Sequence, residues 1–236
     1  VAVVAVSSTT GGSTLLGATQ ADDAGAWRLT SGTALPDGSY TITIYAGDRY
    51  NASNTVAVTL AQALVIDTVG PKVVATAFQP SSGSVLVTVR DYGAASDAGS
   101  GVNLATVQDP TNYAFSFVST TVRGYRPPSQ WLVGPIAVAP GSTTGPQAAT
   151  ILINRGTPIR GGVYQLVMRS RTATLPSGVQ DLAGNALDGE FYGSFPSGNN
   201  VAGGDFTARL DSIHNRVFAP GTTVGPGTGP GRNNGN

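Results

Sequence analysis

In residues 39–45, SYTITIY, side chains that favour water alternate with side chains that avoid it. A period of two marks a half-buried strand. It places Tyr40, Ile42 and Ile44 on one face and Thr41, Thr43 and Tyr45 on the other, so one face is expected to meet a core and the other water. The same alternation recurs along nearly the whole chain, and helical periodicity is nearly absent. It predicts strands over residues 1–6, 15–21, 27–30, 40–45 and 55–64. Turn signals at Gly11-Gly12, Asp23-Ala24-Gly25 and Asp37-Gly38 separate them at the short spacing of a β-sandwich.

Gly70-Pro71 then breaks the pattern, because proline has no N–H to give to a ladder. A module boundary is expected there. Beyond it the alternation predicts strands over residues 73–78, 84–91, 113–118, 131–138, 148–153, 163–169 and 191–195, enough for a complete sandwich. Residues 92–110 and 123–130 lack periodicity and read as long loops, either functional or tolerated as surface insertions. After residue 198 only DFTARL and NRVF look ordered, and PGTTVGPGTGPGRNNGN reads as a Pro/Gly linker. The expectation is an all-β chain of two stacked sandwiches, residues 1–69 and 70–198, followed by a short ordered segment and linker over 199–236.

A device used twice strengthens this. Gly38-Ser39-Tyr40 and Gly162-Val163-Tyr164 both place a tyrosine two residues after a glycine at a strand start. Sandwich folds put a corner tyrosine at such a place, its hydroxyl bonding back to the preceding turn. The competing explanation is only that tyrosine favours strands.

Composition narrows the function classes. Charged residues make up 11% of the chain, against a usual ~25%, so solubility rests on Ser, Thr, Asn, Gln and Gly. Thirteen basic and 13 acidic residues cancel, which leaves no field to hold a polyanion and argues against a nucleic-acid partner. Glu190 is the one glutamate and Lys72 the one lysine, so the remaining acids are short aspartates that suit turns. Without cysteine there is neither a disulfide framework nor a thiolate metal site. No apolar run approaches the roughly 20 residues of a membrane span, and no basic leader with a cleavage site opens the sequence.

Two stretches resemble known families. LLGATQADDAGAWRLTSGTALPDGSYTITIYAGDRYNAS and VIDTVGP, within residues 1–70, resemble the bacterial Ig-like repeats of large surface proteins and adhesins. GPKVVATAFQP, the DPTNY phrase at 109–113 and GGVYQLVMRS through VQDLAGNAL, within residues 70–197, look like the Ig-like module of S-layer and secreted multidomain proteins. The resemblance implies two tandem Ig-like β-sandwiches, the first apparently short of its opening strands, since the family has one or two strands before the segment matching VAVVAV. A truncated module, a naturally reduced one, and one completed by a strand from a neighbouring chain all fit.

The inventory for catalysis is thin. His214 stands alone among histidines, near Asp205 and Asp211 in a segment that reads as a turn, and Asp188 with Glu190 on one loop is no evident glycosidase pair. An enzyme is therefore not expected. Calcium is the best chemical expectation, because it takes six to eight hard oxygen ligands and Asp-rich loops gather at the expected sandwich ends. The adhesin resemblance implies calcium at module junctions and nominates Asp48, Asn51 and Asp67, with Asp22 and Asp23 as weaker candidates, and Asp181 and Asn185 of DLAGN in the second module. The DRYNAS loop departs from the family's Gly-Asn phrase, and the competing reading of every such loop is self-contained turn chemistry.

The functional expectation is a non-enzymatic extracellular structural or adhesive element of a bacterial surface protein: a spacer, surface layer or filament element. Its partners would be neighbouring modules or copies of itself, or a cell-surface protein or glycan. The alternatives are a strand-exchanging filament subunit and a ligand-binding or accessory module of a secreted hydrolase. A binding module would use the 92–110 and 123–130 loops with Tyr125 and Trp131 as its contact surface.

Overall fold

A computed structural model describes residues 1–51, 53–93, 99–139 and 145–222. The chain is all-β, and the named strands among the described residues pair antiparallel. Most of the Pro/Gly-rich stretch lies outside the described residues.

The first unit is one sheet. Strands β1 (Ala2–Ser7), β2 (Ser13–Ala18), β3 (Gly38–Gly47) and β4 (Thr55–Thr59) lie in the order β2-β1-β3-β4, and β5 (Leu64–Ile66) pairs with the start of β3. Val3 stands opposite Ile44 and Ala5 opposite Ile42, so the apolar residues of β1 and β3 share a face, as their alternation requires. Tyr40 and Ile42 are buried on that face with Val3 and Ala5, while Tyr45 points to solvent. Residues 27–30 form no strand. Leu29 packs against Gly17, where a Cβ would crowd its Cδ1, and with Leu35 it plugs the sheet face instead of extending a ladder. The plug does not reach β4: Val58, in register with Ile44, is 54% exposed, and Val56 is exposed beside it.

The second unit is a sandwich of two four-stranded sheets. One runs β6 (Lys72–Gln79), β7 (Ser84–Arg90), β10 (Gln147–Ile153), β9 (Val133–Val138). The other runs β13 (Arg216–Phe218), β12 (Phe206–Asp211), β11 (Val163–Met168), β8 (Tyr113–Ser119). Every second residue turns inward: Val85, Val87 and Val89 from β7, Ala149, Ile151 and Ile153 from β10, Tyr164, Leu166 and Met168 from β11. Each fully buried Val, Leu, Ile or Met contributes roughly 1.5–3 kcal/mol. The core of the second unit is therefore far larger than the four buried residues of the first.

Three sequence expectations change here. Residues 191–195 are not a strand; Phe191 stacks on Phe195 at 4.7 Å and meets Phe206 at 5.3 Å, an aromatic plug ahead of Pro196. Residues 206–211 and 216–218, set apart in the sequence as a short ordered segment, are strands β12 and β13. β12 is hydrogen-bonded on both sides and buries Phe206, Ala208 and Leu210, so the second unit runs on past residue 198 to Phe218. Part of the long 92–110 segment is core as well: it carries helix α1 (Leu104–Gln108) and buries Val102 and Val107.

Both corner tyrosines form. Tyr40 Oη donates to the Pro36 carbonyl at 2.7 Å and Tyr164 Oη to the Arg160 carbonyl at 2.6 Å, each four residues back along the chain. The second corner sits in an aromatic cluster. Phe115 stacks on Tyr164 at 5.3 Å and Trp131 meets it edge-on at 5.1 Å.

Candidate metal centre

β5 ends at Ile66, and the next residue is Asp67 in the connection between the units. β7 ends at Arg90, which places Asp91 at the corresponding end of the sandwich. Asp181 lies in the turn after Val179, bridged to Val102. These three segments meet, and carboxylate oxygens of Asp67, Asp91 and Asp181 all lie within 4.8 Å of one another. Asp91 and Asp181 are buried and Asp67 is half-buried.

Backbone donors hold the acids in place. Asp67 Oδ2 accepts from Ser100 N at 2.6 Å and its Oδ1 from Val69 N at 3.2 Å. Asp91 Oδ2 accepts from Gly101 N at 2.7 Å. Asp181 accepts from Asn185 twice at 2.7 Å, from N to Oδ1 and from Nδ2 to Oδ2. Gly99 makes the close approach possible, since a Cβ there would stand 2.5 Å from Asp91 Oδ2 and 2.9 Å from Asp67 Oδ2. One oxygen is left over. Asp91 Oδ1 is buried and has no hydrogen-bond partner.

Crowding away from water shifts the titration of Asp91 and Asp181. Burial pushes the Asp91 carboxyl up to about 6; the Gly101 N–H pulls against this, and the charges of Asp67 and Asp181 add to it. Burial also raises Asp181, opposed by its bonds from Asn185 and assisted by Asp67. A buried carboxylate with a bare oxygen is costly. A cation at the shared face removes the cost, and the donors are all hard oxygens, the set that Ca²⁺ selects over soft metals. The residues therefore fit a calcium ion held by Asp67, Asp91 and Asp181.

The other nominated residues divide. Asn185 stands at this site and turns its amide nitrogen to Asp181 and to the Asp67 carbonyl, at 3.0 Å for the latter, so it positions both acids. Asp48 and Asn51 lie past the far end of β3, whose 10 residues at about 3.3 Å each put them roughly 30 Å from the junction end. Asp48 Oδ1 accepts from Tyr50 N and Asn51 Oδ1 from Ser53 N. Asp22 Oδ1 likewise accepts from Ala24 N and Ala26 N. These are self-contained Asx turns. Asp91 is the member that sequence reasoning missed; its signal was an acid closing the valine-rich run SVLVTVR.

The remaining candidates are held by structure-forming contacts. His214 Nδ1 pairs with Asp211 Oδ2 at 2.6 Å in the β12–β13 turn, while Asp205 Oδ1 accepts from Ser170 N. Trp131 and Tyr125, the proposed contact surface, pack on the aromatic cluster, and Tyr125 Oη shares a 2.7 Å hydrogen bond with Tyr164 Oη. Compared with known proteins, the chain matches no family model, no curated protein and no solved structure.

Proposed function

We propose that the chain is a non-enzymatic structural element of a bacterial extracellular surface protein, a tandem of Ig-like modules used as a spacer, surface-layer or adhesive element, with calcium fastening the junction. One observation carries this reading. The connection between the units contributes Asp67 to a cluster otherwise built from the second unit, and that cluster keeps a buried carboxylate oxygen, Asp91 Oδ1, without a partner. Calcium supplies the positive charge that lets three neighbouring carboxylates ionise together. Asp67 brings the linker to the ion, Asp91 and Asp181 present fixed oxygens from the sandwich, and Ser100, Gly101 and Asn185 orient them.

Thermal melts and small-angle scattering of the full chain, in calcium and in chelator, test the reading. Calcium raises the unfolding midpoint and narrows the distribution of end-to-end dimensions, because it pins the linker. An unchanged midpoint removes calcium from the function.

A second reading, a filament subunit completed by a neighbour's strand, draws support from the apolar face left open along β4, where Val56, Val58 and Leu60 are exposed. It requires polymers in electron micrographs. Monodisperse monomers at high concentration rule it out.

A further inference from the structure

β4 forms an edge of the first sheet and pairs with β3 alone among the described residues. Its bonds to β3 fix which way its backbone groups point. Leu60 N donates to the Ile42 carbonyl at 2.9 Å and Asp48 N to the Asn54 carbonyl at 3.0 Å, on either side of a register that sets Ile44 against Val58 and Ala46 against Val56. Bonded pairs recur at every second residue of an antiparallel ladder, so Val56 and Val58 bond to β3, while the N–H and C=O of Ala57 and Thr59 turn outward. All five residues of β4 are exposed. An open edge recruits another strand, and sheets guard against this with a bulge, a proline or a charge. The opposite edge strand, β2, meets β1 through a register shift. β4 pairs without one, and the sequence from Ser53 to Ile66 holds neither a charged residue nor a proline.

The order of residues on this edge names the partner. β4 is Thr55-Val56-Ala57-Val58-Thr59, which reads the same in both directions, so an antiparallel neighbour of identical sequence meets it like with like. We propose that two copies of the chain join edge to edge through β4, about a two-fold axis at Ala57, into a closed dimer. Ala57 exchanges both backbone bonds with Ala57 of the second copy, because its groups are among those that face out. Thr59 comes opposite Thr55 of the second copy, and Val58 opposite Val56 of the second copy in the closer, non-bonded kind of pair. A two-fold contact closes, where a head-to-tail contact runs on into a fibre.

The side chains follow the same register. Ile44 stands beside Val58 and Ala46 beside Val56, so the pairing lines up Ile44, Val58, then Val56 and Ala46 of the second copy in one apolar row, and symmetry supplies a second row. The rows cover Val56 and Val58, 59% and 54% exposed in the single chain, on the face that buries Ile42. Asp48 and Arg49, in the loop ahead of β4, fall at opposite ends of the paired strands and face the uncharged run after Thr59 of the other copy. No like charges meet. A contact of this size belongs to the reversible class. Each strand stays in its own sheet, which separates this dimer from a filament completed by a neighbour's strand, and the contact makes no use of a cation at Asp67.

Analytical ultracentrifugation of the full chain over a range of concentrations, in calcium and in chelator, tests the proposal. The wild type is expected as a monomer–dimer equilibrium in both. Ala57→Lys and Ala57→Glu leave the β3 ladder intact and each set like charges on backbones about 5.5 Å apart across the axis, so either should lower the association constant roughly tenfold or more. Mixed in equal amounts they should dimerise again, which requires Ala57 to face its own copy. Ala57→Pro deletes the outward N–H without taking a bond from β3 and should leave a folded monomer. A wild type that stays monomeric up to its solubility limit overturns the proposal, as does a dimer that persists in Ala57→Lys or a mixture that fails to associate. Species longer than a dimer overturn it as well, and support the filament instead. None of these outcomes touches the calcium reading, which stands or falls on the melting midpoint.

Discussion

Replacing Asp91 by Asn removes one charge from the three-acid cluster while keeping its shape. In the cation-free protein the Asp91 carboxyl sits at about 6, against an ordinary 3.8, with burial as the main cause. A folded-state value above the unfolded one means that the folded protein binds this proton more tightly. The carboxylate therefore leaves stability untouched while both states are protonated, and costs stability as pH rises from the unfolded value through the folded one. The difference of roughly two pH units, at about 1.4 kcal/mol each, makes the full cost about 3 kcal/mol above pH 6. At roughly 2–4 °C per kcal/mol for a chain of this size, that is a midpoint change of about 6–12 °C.

Calorimetric melts in chelator at about pH 3 and about pH 7.5 check the sign. The Asn variant should match the wild type at the acid end and melt higher at the neutral end. Calcium should invert that order. At 100 times the dissociation constant the ion adds about 2.7 kcal/mol to the wild type, and the variant, short of one anionic ligand, gains less. A variant that melts below the wild type in chelator at neutral pH refutes the reasoning, because Asp91 would then be earning stability from a partner within the protein.

Three further changes probe separate parts of the molecule. Tyr40→Phe deletes the hydroxyl that bonds to Pro36 and should cost about 1 kcal/mol in the transition of the first unit alone, read by calorimetry. Gly99→Ala drives a Cβ between Asp91 and Asp67 and should abolish the calcium-induced rise in midpoint, with isothermal titration showing at least a tenfold loss of affinity. Val58→Ala removes a side chain that is 54% exposed, so its effect in the monomer should stay within about 0.5 kcal/mol; a larger loss that grows with protein concentration would mean that another chain covers β4.

Much of the fold was legible in period two. SYTITIY became β3 with Tyr40 and Ile42 buried, as its alternation requires. The corner tyrosines were legible because a short local rule links Gly, strand start and turn carbonyl. What escaped depends on partners distant in sequence. AWRLT alternates like a strand, yet its leucine plugs a sheet face. FTARLD looked ordered in the sequence, but it belongs to the second sandwich because β11 and β13 flank it. In the candidate site, Asp67, Asp181 and Asn185 carried motif signals, whereas Asp91 carried only its position after a buried strand. Lys72 and Asn200 carried none that local pattern could reveal, since the meaning of the pair lies in a contact across 128 residues.

The connection between the units is fastened in two chemically different ways, and the order of the residues decides what each fastening controls. Asp67 is held by hydrogen bonds from Ser100 N to its carboxylate and from Asn185 Nδ2 to its carbonyl. Gly70 then packs so closely on the Ala186 carbonyl that a Cβ would overlap it, and the Pro71 carbonyl accepts from Asp188 N at 2.9 Å. Lys72 follows, bound to Asp188 and Asn200. Residues 185–200 thus receive the whole segment 67–72, through Asn185 at the Asp67 end and a buried ion pair at the Lys72 end. Pulling on the first unit loads Asp67 before it loads Lys72. Chelation should therefore release the linker only as far as Gly70, and leave β6 seated in its sheet.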